Sequence, residues 1–325
     1  MAMKMGRALP MALLLGLSSA ALGQGYHRVR SVALPGPGKG DYLCLDPAAR
    51  RLYVTHADGV QVLDADSLKL VGAVEGVPHA HGVLVLPALG KGYATSGEPG
   101  SVVVFDLKSL KRLGEIPSQP DTDVIVYDPA SRRVFTFNGA SHNATVIDPA
   151  TDKVLKTLEL GGEPEMAVAD GQGALYGNLK SSAQVIRINS RTLKVELRWP
   201  VAPGDAPTGL ALDAAGHRLF IGCRNKLLVV MDAADGRVVQ SLPIGDHIDT
   251  TVFDPSTRTV LESCGDGSLS VVRQDAPDAY HVVENAATEA GAKTMARDPV
   301  SGRLFLSTAH GAGAESAFHL LVLGQ

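Results

Sequence analysis

Seven copies of one unit limit what this chain can fold into. Asp46 opens DPAARRLYVTHADGVQVLD, Asp128 opens DPASRRVFTFNGASHNATVID, and Asp213 opens DAAGHRLFIGCRNKLLVVMD. Asp254 opens DPSTRTVLESCGDGSLSVV and Asp298 opens DPVSGRLFLSTAHGAGAESAFHLLVL, with weaker copies starting at Leu86 and Asp170. Each copy reads as a turn, a strand, a second turn and an alternating strand. In the first copy Asp58-Gly59 separates two apolar runs, a hairpin signal because such turns favour positive φ at glycine. A lone hairpin cannot bury its apolar side. A period of about 40–45 residues with four short strands per unit is the mark of a β-propeller. The fold class expected is therefore all-β, a seven-bladed propeller of four-stranded antiparallel blades.

The ends of the chain say how such a ring would close. Most units finish on an outer strand, such as KLVGAVEG or KVLKTLELG, fed by turns in which Asp or Asn precedes Ser or Thr by three residues. Those short side chains can cap the turn backbone. The last unit stops at HLLVLGQ with no outer strand, while Tyr26 to Gly36 alternates in the right way ahead of the first anchor. The N-terminal strand is thus expected to complete the seventh blade, which removes exposed sheet edges.

Residues 1–23 have another character. Lys4 and Arg7 precede an apolar run, Ala8 to Leu17, followed by small residues through Gly23. That is the pattern of a secretory signal peptide, and the run is too short to span a membrane. The expectation is export to a periplasm, with residues 24–325 forming a single propeller domain and no membrane span in the mature chain. The whole chain has 30 basic and 34 acidic side chains, and removing Lys4 and Arg7 takes the net charge from -4 to -6. With no long basic run, the balance argues against nucleic acid as the partner. Cys44, Cys223 and Cys264 make an odd count, and Cys223 and Cys264 hold equivalent places on adjacent units. Equivalent points on neighbouring blades usually lie beyond the roughly 7 Å a disulfide tolerates, so free, buried thiols are expected.

The repeat, with RRLYVTH in its first copy and DP before it, resembles the YVTN-repeat β-propellers, including the YncE-like periplasmic proteins. The likeness extends over essentially the whole mature chain, although HA, CR or CG stands where that family usually has Asn. It implies a binding or surface scaffold more than a defined enzyme.

In propellers of this type, the loop entering the innermost strand and the loop leaving the second strand share one face. Counting five residues back from each anchor gives Asp41, His81, Asp123, Glu165, Thr208, Asp249 and Lys293. Seven back gives Lys39, His79, Asp121, Glu163, Ala206, His247 and Gly291. Strand side chains alternate, so residues two apart are expected to point the same way, towards the channel mouth. The second-strand loops add His56, His142 and His310, bringing six of the ten histidines to this face.

Three readings of the mouth stay open. Imidazole and carboxylate together suit a divalent metal ion, with His79, His81, Asp123, Glu165 and Asp249 as candidate ligands. A negative cleft could instead concentrate a cationic or hydrogen-bonding ligand, or the mouth could be merely polar and water-filled. The leading expectation is a monomeric binding propeller for a small ligand or periplasmic protein partner. The alternative is a lactonase-like hydrolase in which a channel-bound divalent ion activates water, with Glu165, Asp123 or His81 as base. No GxSxG, P-loop, GxGxxG or CxxCH motif occurs in the sequence.

Overall fold

A computed structural model of the chain describes residues 25–310 and 317–325. The expected signal peptide, residues 1–23, lies outside the described residues, as does the side chain of His310.

Seven four-stranded antiparallel sheets form the blades of a propeller. Blade 1 comprises Gly40–Asp46, Arg51–His56, Gly59–Asp64 and Leu70–Glu75, in spatial as well as chain order. Blades 2 to 6 repeat that order, with innermost strands Ala80–Leu86, Thr122–Asp128, Pro164–Ala169, Pro207–Asp213 and Ile248–Asp254. Blade 7 takes three strands from the end of the chain, Thr294–Arg297, Leu304–His310 and Ala317–Gly324. Its outer strand is the N-terminal segment His27–Pro37, paired antiparallel from His27 against Gly324 to Pro37 against Ala317. The ring therefore closes as the sequence indicates.

The core lies between blades. Tyr53, Val62, Val103 and Phe105 meet between blades 1 and 2, and Phe135, Phe137, Leu175 and Ile186 between blades 3 and 4. These residues alternate along central strands buried on both faces, which is why the repeats read as nearly continuous apolar runs. The anchoring aspartates build turns. Asp46 Oδ1 accepts the backbone N–H groups of Ala48 and Ala49, both at 3.0 Å. Asp64 Oδ1 does the same for the outer turn, accepting from the N–H and hydroxyl of Ser67 at 2.7 Å each.

The first hairpin is made differently from the sequence expectation. Positive φ falls on Ala57 (48°) rather than on Gly59. Gly59 is bare for another reason: a Cβ there would lie 2.7 Å from the carbonyl oxygen of Val74 on the neighbouring strand.

All three cysteines are free, Cys223 and Cys264 fully buried and Cys44 partly so. Burial pushes the thiols of Cys44 and Cys223 up to about 12, and that of Cys264 further. Since the thiolate is the reactive form, native protein at pH 8 should give less than one equivalent with a disulfide-exchange reagent over minutes. Three equivalents should appear in denaturant. A fast equivalent from the native protein would contradict this burial.

Candidate functional site

In six of the seven blades the side chain five residues ahead of the anchor owes its direction to a break in strand pairing; in blade 7 Lys293 directly precedes an innermost strand paired without a register shift. In blade 1, Gly40 pairs with His56 and Leu43 with Val54, so Asp41 and Tyr42 together face Thr55. The same two-against-one register places His81 in blade 2, Asp123 in blade 3 and Glu165 in blade 4. In blades 5 and 6 the extra residue is Thr208 and Asp249. Such β-bulges re-aim a side chain and bend the strand. Hydroxyls from the preceding blade pin the bulged backbone. Thr294 Oγ donates to the Asp41 carbonyl at 2.7 Å, and Thr95 Oγ to the Asp123 carbonyl at 2.6 Å.

Three of these side chains converge. His81 Nδ1 lies 2.8 Å from Asp41 Oδ2 and 3.8 Å from Asp123 Oδ1. One donor atom from each of Asp41, His81 and Asp123 falls within 4.8 Å of the others. Burial works against a charged imidazole at His81, yet the Asp41 hydrogen bond and the charges of Asp123, Asp41 and Asp121 outweigh it and hold the ring at about 9. The Asp123 carboxyl is pushed well above the usual carboxylate range, first by burial and then by Asp41. Carboxylates and an imidazole this close compete for the same proton. Asp123 Oδ1 is buried and has no hydrogen-bond partner among the described residues.

The other half of the mouth is neutralised from within. Lys180 Nζ lies 2.5 Å from Glu163 Oε1 and also donates to Glu165. Lys293 Nζ lies 2.5 Å from Asp249 Oδ2, with Arg224 Nη2 at 3.7 Å from the other oxygen. Burial raises Glu165 and Asp249 despite these cations. Tyr42 senses both halves: burial first, then Asp249, Asp123, Asp41 and Glu165 drive its hydroxyl well above the ordinary phenol value. No Lys or Arg lies within 4 Å of the Asp41 or Asp123 carboxylates among the described residues.

The expected site residues therefore separate. Of the candidate metal ligands, His81 and Asp123 come together, with Asp41 as the third member; Glu165 and Asp249 are engaged by lysines instead. The residues seven back do not follow the alternation argument, because His79, Asp121 and His247 adopt left-handed backbone, φ 49°, 60° and 58°. Alternation holds only for extended chain, so His79, Asp121 and His247 are exposed at the rim. Asp121 still adds its charge to the field at His81. His56 is buried, stacked on Phe318 at 4.2 Å with the rings 6° from parallel, and its Nδ1 accepts from Gln61 Nε2 at 3.1 Å. It packs blade 1 against blade 7 and does not join the cluster. His142 is exposed.

Sequence reasoning missed Lys180, Arg224 and Tyr42. Lys180 carried a signal, since it stands ten residues after its anchor, the place His56 holds in the first repeat. Arg224 and Tyr42 carried none at the level of the repeat.

No protein-family model matches the sequence, and no curated protein matches it. Solved structures do share its architecture. A chain of hydrazine synthase from Kuenenia stuttgartiensis superposes with a TM-score of 0.75 at 16% identity, covering 87% of this chain and 96% of that one. A chain of a mitotic checkpoint complex superposes with a TM-score of 0.77, again at 16% identity, covering 97% and 98%. At this identity the likeness establishes the propeller fold.

Proposed function

We propose that this chain is an exported, monomeric β-propeller that binds a divalent metal ion at its channel mouth through Asp41, His81 and Asp123, and presents it to a small ligand or periplasmic protein partner. The observation that carries this reading is the buried, unpartnered Asp123 Oδ1 beside His81 and Asp41. A buried carboxylate oxygen left without a partner is costly, and a cation shared by the three donors satisfies it. Two carboxylates and one imidazole suit Mn(II), Zn(II) or Fe(II) better than Cu(I). The apolar run behind Lys4 and Arg7 supports export, and the repeat supports kinship with the YVTN-repeat, YncE-like propellers.

The hydrolase reading would need a base beside the ion. Glu165 is held by Lys180, while Asp123 and His81 belong to the donor set, so the arrangement favours binding over turnover. Equilibrium dialysis of chelator-treated protein against Mn(II) or Zn(II) tests the site. One ion per chain is expected, with affinity about 100-fold lower in Asp123→Asn and His81→Ala, the scale on which metal sites respond to loss of supporting groups. Asp249→Asn and His79→Ala should change it less than about threefold. Wild-type protein that retains no ion, or undiminished affinity in Asp123→Asn, removes the proposal.

A further inference from the structure

Beside the Asp41–His81–Asp123 cluster, between blades 1 and 2, the mouth opens into a cavity of 400 Å³. Its wall carries Asp41 and His81, two of the three donors, together with Lys39, Asp58 and His79; the rest is glycine and alanine. The small residues leave the space open, and five polar residues line it. That combination, at the lower end of the ~300–1,000 Å³ range of small-molecule sites, is what a ligand cavity requires.

The charges around it are unevenly answered. Asp41 Oδ2 is bonded to His81, and Asp58 Oδ1 accepts the His79 backbone N–H at 3.4 Å. Lys39 is exposed, with no carboxylate within 4 Å among the described residues, whereas Lys180 and Lys293 across the mouth are each paired with acids. An ion held by three protein donors keeps at least one coordination position open. Two carboxylates balance the charge of a divalent ion, and Lys39 on the same wall brings a positive charge to set against that of Asp58.

We infer that the cavity takes a small oxyanion, a carboxylate or a phosphate, with one oxygen on the open position of the ion and another on Lys39 Nζ, and His79 at the rim as a further donor. The inference rests on the metal reading above, and goes beyond it by naming the chemical class of the ligand. Charge-assisted hydrogen bonds from an ammonium to such oxygens are the strong kind. The mouth as a whole is acidic, so the inference makes anion binding strictly dependent on the ion.

The test uses full-length protein in metal-loaded and chelator-treated forms, titrated calorimetrically with acetate and with inorganic phosphate at constant ionic strength. At least one anion should bind the loaded protein with 1:1 stoichiometry and not bind the stripped protein. In Lys39→Ala that affinity should fall about tenfold or more while the ion stoichiometry stays at one, and Lys39→Arg should keep it within about threefold. The arm that binds more tightly tells carboxylate from phosphate. A loaded protein that binds neither anion, or binds it equally well in Lys39→Ala or without metal, overturns the inference and leaves the metal site standing. A wild-type protein that retains no ion overturns both.

Discussion

Glu262→Gln should gain stability over the wild type as the pH rises from about 4.5 to 8, by about 4 kcal/mol across that window, and show no further relative gain above it. Glu262 sits in the second strand of blade 6, fully buried, at the place held by Val54, Ala94, Ile221 and Leu306 in other repeats. Its carboxyl lies in space left by Gly222 of blade 5, and the Thr251 that binds it in space left by Gly209. Glu262 Oε2 lies 2.9 Å from where a Cβ on Gly222 would be, and Thr251, which donates to Oε2 at 2.8 Å, crowds Gly209. Oε1 has no hydrogen-bond partner among the described residues, and burial raises the carboxyl to about 8. The folded state therefore holds this proton while the unfolded chain releases it near pH 4.5. Stability is fully present below 4.5 and declines as the pH approaches 8. The amide has the same shape and nothing to titrate. Chemical denaturation of both proteins at pH 4.5, 6 and 8 measures the difference, and a gap that stays constant across the series would show that Glu262 is ionised in the fold.

The architecture was legible because it is written seven times. One Asp-Pro turn followed by an apolar run is weak evidence. Four such turns within seven copies of the unit at a regular spacing leave few folds, and the missing outer strand after HLLVLGQ together with the spare strand at Tyr26 to Gly36 gave the closure. Turn chemistry was readable where a side chain does the capping, as at Asp46 and Asp64. It misled at Asp58-Gly59, where the glycine answers to the carbonyl of Val74 on another strand, a contact local sequence does not contain.

The site was legible as a set of positions and not as a geometry. Counting from the anchors found Asp41, His81 and Asp123, because repeats put equivalent residues at equivalent heights around the channel. Which acids remain without a cation depended on Lys180 and Arg224 reaching in from other loops. The direction of each side chain depended on bulges, which arise from pairing between strands. His56 shows the limit most clearly: its position in the repeat resembles that of a mouth residue, and its neighbour Phe318, more than 250 residues later, turns it into packing.

Asp298→Ala should cost about 3 kcal/mol at pH 7, the lower end for breaking a buried ion pair, and lower the melting temperature by about 6 °C. The Asp298 carboxylate is fully buried and accepts Arg50 Nη1 at 2.9 Å and Nη2 at 2.7 Å, the hydroxyl of Ser301 at 2.6 Å and the Val300 N–H at 3.0 Å. The pair joins the anchor turn of blade 7 to that of blade 1, so it reinforces the seam where the ring closes. Arg50 keeps a second partner, with its Nη2 at 2.6 Å from Asp66 Oδ1, which places the cost at the low end. The Arg50 hydrogen bonds hold Asp298 well below the usual carboxylate range. Its contribution is thus present above about pH 4 and lost as the pH falls further, the opposite sign to Glu262. Other turn aspartates held low by the groups they cap, such as Asp64 and Asp106, add to this acid limb. Asp123, Glu165 and Asp249, raised by burial at the mouth, act with Glu262 on the other limb. The metal-free wild type should therefore be most stable on the acid side of neutrality, between about pH 4 and 6. Denaturant titrations of wild type and Asp298→Ala at pH 3 and 7 decide the matter: a difference of equal size at both pH values would mean Asp298 does not act through its charge, and one under about 1 kcal/mol at pH 7 would mean the seam is held by apolar packing.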